Sequence, residues 1–312
     1  MTSQNPPAGS PALFSSVLTL RGRLPSRYRS RGRRLPGCLR VLLGCFMLLL
    51  VSNILLPPRS CNIVILGVDA RPGQGYLTRT DTVMLLNIKP RRLGVGLLSI
   101  PRDVFINVPG YGEQRINTIN VLGEEEALGA GPALVKASLK ESFGVTVDNY
   151  VRLDFNGFVA LVDAVGGLDI RIPKLIIDLD YPTKNGGITT VRFDPGWEHM
   201  DGERALEYAR TRHQDDDYQR AERQQQVVDA LVKKLADPRQ IVHWPRIWQV
   251  IQSNTDSDLS AWDMLRLGPA MLAGWPGRDQ RVLQPEDLIG MKAGYWRPNY
   301  DRILPWIEKH FS

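Results

Sequence analysis

Arginines stand where the sequence predicts that a buried helix face begins. Arg220 and Gln224 share a helical face with the apolar residues that follow them, because residues four apart lie on the same side of a helix. We expect that face to pack inward, and a buried guanidinium group needs an anionic partner. Arg210 and Arg212, just upstream, are expected to converge on the same partner. This spacing favours the binding of an anion such as a carboxylate or a phosphate.

The same stretch holds acidic residues that could neutralise these arginines without any ligand. They are Asp215, Asp216, Asp217 and Glu222. The three aspartates could also bind a metal ion, although a solvated acidic loop is the simpler interpretation. Arg210 could equally complement the dipole at the C-terminal end of its own helix. Taken alone, the stretch leaves a ligand site and an internal ion-pair network open.

Three apolar segments predict the strands that would position further charged groups. They run from Asn62 to Asp69, from Thr82 to Ile88 and from Gly94 to Ile100. As an antiparallel meander, these strands would place Asp69, Arg79, Asp81 and Arg102 at one edge of the sheet. Adjacent strands are about 4.8 Å apart. Two carboxylates and two arginines would therefore gather at that edge.

Beyond this edge, predicted strands and helices alternate, as is typical of helices packed on a mostly buried sheet. The predicted elements are a short extended segment at 104–108, helices at 132–143 and 155–165, strands at 149–153 and 168–172, and helices that follow Asp201 and Gln219. Residues 174–190 are interpreted as a polar, irregular insertion. Asp178-Leu-Asp180, within it, resembles the Asp-x-Asp of nucleotide-sugar transferases, but we interpret it as a surface loop.

The basic balance of the chain belongs to its N-terminal tail. The 312 residues carry a net charge of +6, but residues 1–61 contain nine arginines and no lysine, aspartate or glutamate. The remainder has 30 basic and 33 acidic residues, a net charge of −3. A mildly acidic body argues against general nucleic-acid binding.

An apolar segment follows the arginine-rich tail and predicts a membrane span. The 18 residues at 39–56 would form a helix about 27 Å long, close to the thickness of the hydrocarbon core. The arginines before it place the N-terminus in the cytoplasm and the rest of the chain outside. A cleaved signal peptide is a weaker alternative, since no Ala-x-Ala site is present. The expected organisation is a cytoplasmic disordered tail at 1–38, a transmembrane helix at 39–56, an extracytoplasmic catalytic domain at 61–236 and a helical extension packing on it at 237–312.

The composition excludes several kinds of chemistry. All three cysteines lie at or before Cys61, so neither a disulfide framework nor a thiolate metal site is expected in the folded region. With only four histidines, a histidine-rich zinc site is not expected either. The absence of a Walker lysine motif, a Gly-x-Gly-x-x-Gly loop and a Gly-x-Ser-x-Gly elbow argues against ATP or NAD use and against a serine hydrolase.

The remaining polar groups suit phosphoryl transfer. Asp69 and Asp81 are hard oxygen ligands for Mg²⁺ or Mn²⁺, ions usually bound through one or two carboxylates plus substrate phosphates. The arginines would neutralise spread-out negative charge, which is most of what catalysis of this reaction requires. No nucleophile is evident, so the attacking hydroxyl group would come from a second substrate.

Eight short motifs, in order along the chain, are similar to those of the LytR-CpsA-Psr family. They are Asn62-Ile-Val-Ile-Leu-Gly-Val-Asp69-Ala-Arg71, Arg79-Thr-Asp81-Thr82, Ser99-Ile-Pro-Arg102-Asp103, Arg115-Ile-Asn117, Val165-Gly-Gly167, His199-Met-Asp-Gly-Glu203, Tyr208-Ala-Arg210-Thr-Arg212 and Arg220-Ala-Glu-Arg223-Gln224. The resemblance covers about residues 61–290, and the membrane segment directly upstream agrees with it.

The resemblance implies both a fold and an activity. The fold would be α/β, with a mixed, largely antiparallel central sheet flanked by helices in an α-β-α arrangement. The activity would be transfer of a glycopolymer from a polyprenyl-pyrophosphate carrier onto a peptidoglycan hydroxyl as a phosphodiester. The implied partners are this lipid-linked donor, the peptidoglycan acceptor and membrane lipid, with no nucleic acid.

The resemblance also implies roles for particular residues. Catalytic residues that grip the pyrophosphate would be Arg79, Arg102, Arg210, Arg212 and Arg220, with Asp81 beside them. Asp69 and Asp81 would hold Mg²⁺, with Mn²⁺ as a possible substitute, and either could take the acceptor proton. Further substrate-binding residues would be Arg71, Arg115, Arg223 and Gln224, with Asp103 orienting the arginines. Phe155 and Phe158 would line the lipid tail, unless their helix is an ordinary core helix.

Two rival functions stay open at this point. The same site could hydrolyse a polyprenyl pyrophosphate with water as the acceptor. The chain could also be a membrane-anchored regulator that binds phosphorylated lipid without turning it over. Asp69 and Asp81 argue against pure binding, since an anion site does not require carboxylates beside its arginines.

Overall fold

The computed structural model describes Gly37, Gly44 and residues 57–70, 75–183, 186–212, 217–290 and 295–312. The predicted tail and the membrane segment at 39–56 lie outside these residues, apart from the two glycines, and so does Arg71. No helix within the described ranges is long and apolar enough to cross a membrane. The chain divides into two units, Met1–Leu50 and Val51–Ser312, and the fold below is that of the second.

Fourteen strands are seen in the described residues. They are β1 Cys61–Val68, β2 Thr80–Lys89, β3 Gly94–Ile100, β4 Phe105–Val108, β5 Gly112–Arg115, β6 Asn149–Asp154, β7 Leu168–Ile172, β8 Ile176–Pro182, β9 Ile188–Phe193, β10 Gly196–Met200, β11 Thr255–Ser257, β12 Asp279–Val282, β13 Leu288–Gly290 and β14 Trp296–Pro298. The α-helices of the second unit are α1 Ile119–Glu126, α2 Gly131–Phe143, α3 Phe155–Ala164, α4 Gly202–Arg210, α5 Asp217–Ala236, α6 Trp244–Asn254, α7 Ala261–Gly274 and α8 Tyr300–Phe311.

The central sheet is mixed, as expected, and has the strand order β11-β6-β1-β2-β3-β12. The predicted antiparallel meander of β1, β2 and β3 is confirmed. Strand β6 runs parallel to β1, and β12 runs parallel to β3. Because of these directions, the C-terminal ends of β1, β3, β6 and β12 lie beside the N-terminal end of β2. They form the border of the sheet that runs across the strand ends, and this border is the charged edge described below.

The sheet carries an apolar core on both faces. Val64, Leu85 and Leu98 belong to a cluster that includes residues of α2 and α8. Their neighbours Met84 and Leu97 belong to a second cluster, which includes residues of α5 and α7. Alternate residues of a strand point to opposite faces, so strands that are apolar at every position bury both faces at once. This double burial holds the strand ends in place.

A β-bulge interrupts the pairing of β1 with the start of β2. Gly67 pairs with Thr82, but Val68 pairs with Thr80, so Asp81 is left as the extra residue. The strands approach closely here, since a Cβ atom on Gly67 would lie 2.9 Å from the Cβ of Thr82. Bulges of this kind commonly turn a side chain toward a functional site.

Most predicted elements are present, with boundaries shifted by at most two residues. Asp201 caps α4 as expected, because its side chain accepts a hydrogen bond from the amide of Arg204 at 2.9 Å. The interpretation of residues 174–190 as irregular was wrong, since they contain the hairpin of β8 and β9. The Asn-Gly at 185–186 was the available signal, because this dipeptide is typical of two-residue hairpin turns.

The segment after residue 236 contains strands of the central sheet as well as the predicted helices. It supplies β11 and β12, the two edge strands of the central sheet. It also supplies α8, whose Ile303 and Ile307 are buried in the core. The C-terminal segment is therefore part of the same layered fold.

Candidate active site: an arginine cluster at the sheet edge

Arg102 and Asp81 form the centre of the charged edge. Nη1 of Arg102 donates to Oδ1 of Asp81 at 2.8 Å, and Nη2 of Arg212 lies 3.7 Å from the other oxygen, Oδ2. Burial alone would lower the pKa of Arg102, but the hydrogen bond to Asp81 and the nearby carboxylates of Asp217 and Asp103 raise it. The predicted gathering of Asp81 and Arg102 at one edge therefore exists.

Arg220 lies behind this pair and is only 3% exposed. Its Nη2 atom is 2.8 Å from Oδ1 of Asp217, one turn earlier in α5. Burial, together with the positive charges of Arg212 and Arg102, lowers the pKa of Arg220 to about 10, against the opposing pull of Asp217. Arg220 is thus cationic at neutral pH, and a further anion beside it would be favourable.

Two buried guanidinium atoms in this cluster have no hydrogen-bond partner among the described residues. They are Nη1 of Arg220 and Nε of Arg102. Carboxylate oxygens of Asp103 and Asp217 lie 3.5 and 3.6 Å from Nε of Arg102, too far for a well-formed hydrogen bond. Buried donors are rarely left unsatisfied unless a ligand, water or ion completes them.

Asp103 and Asp217 are hydrogen-bonded to each other through their side chains. Burial and this carboxyl neighbour raise the pKa of Asp103. Burial would also raise the pKa of Asp217, but the hydrogen bond from Asp103 and the charges of Arg220 and Arg102 lower it. The two shifts are opposite, so a proton is favoured on Asp103 rather than on Asp217. With Asp81, these carboxyl groups face the guanidinium groups of Arg102, Arg212 and Arg220.

Arg210 is the last residue of α4, and Arg212 follows it by two residues. Asp178 is 4% exposed, and its Oδ2 atom accepts hydrogen bonds from Oγ1 of Thr211 at 2.8 Å and from the amide of Arg212 at 2.9 Å. The interpretation of Asp178 as part of a surface loop was therefore wrong. Strand β8 carries it inward, where it fixes the backbone between the two arginines.

Arg210 points toward aromatic rings rather than toward the carboxylates. Its guanidinium carbon lies 4.1 Å from the ring centre of Phe155 and 5.6 Å from that of Tyr181. Phe158, one turn further along α3, packs against an apolar cluster that contains Tyr208. Phe155 is thus in contact with the guanidinium group of Arg210, and Phe158 is in contact with the apolar core.

Arg223 is buried, and its guanidinium group binds backbone carbonyls at the end of α4. Its Nε atom donates to the carbonyl of Tyr208 at 3.1 Å, and its Nη2 atom donates to the carbonyl of Thr211. These bonds tie α5 to the end of α4. Gln224 is only half-buried, whereas its neighbour Gln225 is buried and donates to Ser99 at 2.8 Å. Gln225, which sequence reasoning missed, fixes α5 against β3.

Asp69 and Arg79 flank the paired residues at the ends of β1 and β2. Arg79 is exposed, and Asp69 is half-buried with no side-chain hydrogen bond to any described residue. Oγ1 of Thr78 donates to the carbonyl of Asp69 at 3.1 Å, which draws the loop before β2 toward the end of β1. Arg115 lies at the other side of the site, with Nη1 3.7 Å from Oδ1 of Asp103.

A buried polar network holds the loop that carries Arg79, and sequence reasoning missed it. Nδ2 of Asn120 donates to the carbonyls of Tyr76 and Thr78, both at 2.9 Å. Arg152 donates to Oδ1 of Asn120 at 2.9 Å, and its guanidinium carbon lies 3.9 Å from the ring centre of Tyr76. A second bond of Arg152, to Glu124 at 2.6 Å, neutralises its charge. No local pattern reveals such a network, because its members come from separate elements.

The described residues do not bring together three or more carboxylates, histidines or cysteines that could hold a metal ion. Asp69 and Asp81 remain two hard oxygen donors at one edge. Their chemistry fits an ion such as Mg²⁺, which commonly takes only one or two protein carboxylates and completes its shell with water and phosphate oxygens.

The fold and the charged edge define an α/β domain that presents a partly buried cluster of arginines and aspartates between a sheet and a helix N-terminus. The chain belongs to the LytR-CpsA-Psr family, whose profile matches residues 53–277.

Curated relatives are similar over much of the chain. The polyisoprenyl-teichoic acid–peptidoglycan teichoic acid transferase TagU of Oceanobacillus iheyensis is 36% identical over 227 residues, which cover 72% of this chain and 66% of that protein. The regulatory protein MsrR of Staphylococcus aureus is 29% identical over 201 residues, which cover 64% of this chain and 56% of that protein. The chain thus spans less than two thirds of the length of these relatives.

Solved structures share the fold. The crystal structure of B. subtilis TagV has a TM-score of 0.66 and 23% identity, covering 81% of this chain and 97% of that one. TagT bound to LI-WTA has a TM-score of 0.60 and 22% identity, covering 81% of this chain and 91% of that one. At this identity, the similarity establishes the fold alone.

Proposed function

We propose that this protein transfers a glycopolymer from a polyprenyl-pyrophosphate carrier onto a hydroxyl group of peptidoglycan, forming a phosphodiester. The observation that carries the proposal is Arg220, a buried arginine with an unpartnered Nη1 atom beside Arg102 and Arg212. A pyrophosphate supplies several acceptor oxygens for the guanidinium donors that have no partner among the described residues. The name of the TagU relative, a teichoic acid transferase acting on peptidoglycan, supports the same class of donor and acceptor.

In this proposal, the arginines bind and orient the pyrophosphate. Arg220 and Arg102 would donate their free N–H groups to its oxygens, while Arg212 and Arg79 add charge from the exposed side. Guanidinium groups held in place before the reaction lower the free energy of the transition state, because they need little reorganisation as charge moves. Arg210, packed on Phe155, would mark the boundary between the phosphate and the apolar tail.

The acceptor hydroxyl would attack the phosphorus atom that bears the glycan. The bond from that phosphorus to the bridging oxygen breaks, and polyprenyl phosphate leaves. The acceptor proton would pass to a carboxylate. Asp69 makes no side-chain hydrogen bond to a described residue, whereas Asp81 is engaged by two arginines, so Asp69 is the better base.

Asp69 and Asp81 would hold Mg²⁺ when it is bound. The ion would supply positive charge to the pyrophosphate oxygens. The protein's own residues would supply the orientation, through the bulge at Asp81 and the loop bonds of Asn120.

We further propose that residues 39–56 anchor the protein in the membrane, with the catalytic domain outside the cytoplasm. This placement would bring the domain to a lipid-linked donor. The support is the apolar sequence and the arginine-rich flank before it.

A transfer assay tests the proposal. The full chain in detergent micelles is given a radiolabelled, synthetic polyprenyl-pyrophosphate glycan and peptidoglycan oligomers, with Mg²⁺ or with EDTA. We expect metal-dependent label on the peptidoglycan, and loss of that label in Arg220→Met and Arg102→Ala. Arg92→Ala is the matched control, because Arg92 is exposed in the turn at the opposite end of the sheet.

The products separate the rival functions. Free glycan phosphate in place of labelled peptidoglycan would show a hydrolase. Donor that stays bound and unchanged, with a competent acceptor present, would show a binding protein or a regulator, the description carried by the MsrR relatives.

A further inference from the structure

A cavity of about 360 Å³ adjoins the arginine cluster. Asp103, Arg115 and Asp217 contribute its polar side, and Tyr295 and Trp296 contribute its aromatic side. This volume is within the range of small-molecule sites. Asp103 lies between the cavity and the cluster, since its carboxylate is 3.5 Å from Arg102 and 3.7 Å from Arg115. A molecule in the cavity would therefore lie directly beside a phosphate bound by Arg102.

The aromatic side is exposed and yet held in place. Trp296 is 42% exposed, on the hairpin of β13 and β14. It pairs with Gly290, and a Cβ atom on Gly290 would lie only 3.3 Å from the indole ring. The glycine thus lets the indole lie across the hairpin backbone. A fixed, exposed indole loses little conformational entropy when a ligand stacks on it.

The polar side is also fixed. The guanidinium carbon of Arg115 lies 5.5 Å from the ring centre of Phe105 and 5.6 Å from that of Tyr295. The two rings are themselves in contact, with centres 4.6 Å apart. This packing holds Arg115 at the cavity wall, where its N–H donors could reach the hydroxyl and amide oxygens of a ligand.

We propose that this cavity is a subsite for a saccharide ring of the glycan substrates. A pyranose has one face of C–H groups, which suits an aromatic surface, and a rim of hydroxyl and amide groups, which suits arginine and aspartate side chains. The proposal rests on the proposed function, because that reaction places sugars next to the phosphate on both the donor and the acceptor. Tyr295 and Trp296 lie beyond residue 277, where the family match ends. In this proposal, the aromatic side would contribute to the choice of glycan that this protein accepts.

Binding measurements on the full chain in detergent micelles test the subsite with three probes. The first is a tetrasaccharide of alternating N-acetylglucosamine and N-acetylmuramic acid. The second is a polyprenyl pyrophosphate carrying one N-acetylhexosamine, and the third is the same lipid pyrophosphate without sugar. The variants are Trp296→Ala, Trp296→Phe and the matched control Trp197→Ala, since Trp197 is 75% exposed on β10, a strand of a separate sheet.

We expect Trp296→Ala to weaken binding of a sugar-bearing probe about tenfold, with partial recovery in Trp296→Phe. The sugar-free lipid pyrophosphate should bind all variants equally, which also shows that they are folded. If Trp296→Ala weakens binding of the tetrasaccharide, the saccharide ring in the cavity belongs to the acceptor. If it weakens binding of the second probe alone, the saccharide ring belongs to the donor. Unchanged binding of both sugar-bearing probes in Trp296→Ala would overturn the subsite. Failure of the proposed function would be visible separately, as loss of pyrophosphate binding and transfer by the wild-type chain.

Discussion

Arg102, just past the end of β3, donates to Asp81, at the bulged start of β2, over 2.8 Å. The two residues lie on neighbouring strands, so their pairing follows directly from the antiparallel register in which Val83 faces Ile100. The bond uses one guanidinium nitrogen of Arg102 and leaves its Nε atom without a hydrogen bond to any described residue. The position of the charged cluster is therefore set by strand register, and the Nε atom of Arg102 is left as a donor for the proposed ligand.

Replacing Arg220 separates binding from stability. Arg220→Met should lower pyrophosphate affinity and transfer on the order of 10²-fold, because it removes a buried charge and an unpartnered donor. Adding Asp217→Asn should restore part of any stability lost when Asp217 loses its partner Arg220. Denaturant unfolding and calorimetric titration with pyrophosphate would check both. Wild-type pyrophosphate affinity in Arg220→Met alone would contradict a direct role for Arg220.

The Asp103–Asp217 pair makes stability depend on pH. The folded state raises the pKa of Asp103, so the protonated form stabilises the fold. That contribution is present at low pH and is lost as pH rises through the raised pKa of Asp103. Asp103→Asn cannot lose a proton, so its stability relative to wild type should increase as pH rises above about 4. Urea unfolding between pH 3.5 and 7 would measure the difference, and parallel pH curves for the two proteins would contradict a raised pKa of Asp103 in the folded state.

Asn120 should act on the reaction through the loop that it holds. Asn120→Ala leaves the carbonyls of Tyr76 and Thr78 without their buried donor, at a cost of about 1–3 kcal/mol. We expect faster amide exchange at residues 75–80 and lower transfer well below the melting temperature, because Arg79 is no longer fixed. Asn107→Ala, at an exposed position of β4, is the control. Normal transfer with a mobile loop would show that Arg79 is not needed.

Gly67 should tolerate no side chain. A Cβ atom at this position meets Thr82 at 2.9 Å, so Gly67→Ala should destabilise the fold by about 1–3 kcal/mol and displace the bulge that presents Asp81. In Gly94→Ala the nearest atom would be at 3.7 Å, an ordinary contact, which makes this variant the matched control. Thermal unfolding and transfer rates of both variants would check the prediction. Equal stability of the two would mean that the bulge adjusts freely.

The local sequence pattern was sufficient to predict the strands and helices of the core. The segments at 62–69, 82–88 and 94–100 are apolar at nearly every position, which predicts strands buried on both faces, and their register placed Asp81 beside Arg102. The inward face of α5 was predicted only in part. Arg220 is buried as expected, but Gln225 rather than Gln224 is the buried glutamine.

Long-range contacts were not predictable in the same way. Asp178 reads as a loop residue until the hairpin of β8 and β9 places it against Thr211. The partners of Arg152 come from α1, β11 and the loop before β2, and no spacing in the sequence connects these elements. The short edge strands β11 and β12 exist through their pairing with β6 and β3, because three or four residues carry too weak a pattern by themselves.

The two outermost strands of the central sheet, β11 and β12, come from the C-terminal part of the chain, and this affects the order in which the sheet can form. Strands β6 and β3 have exposed backbone hydrogen-bonding groups until β11 and β12, made much later in synthesis, pair with them. A chain that ends near residue 277 keeps β11 but lacks β12, and its open β3 edge is a template for pairing between molecules. Completion of the sheet is thus a late event with high contact order, so truncated or stalled chains should aggregate rather than accumulate as folded protein.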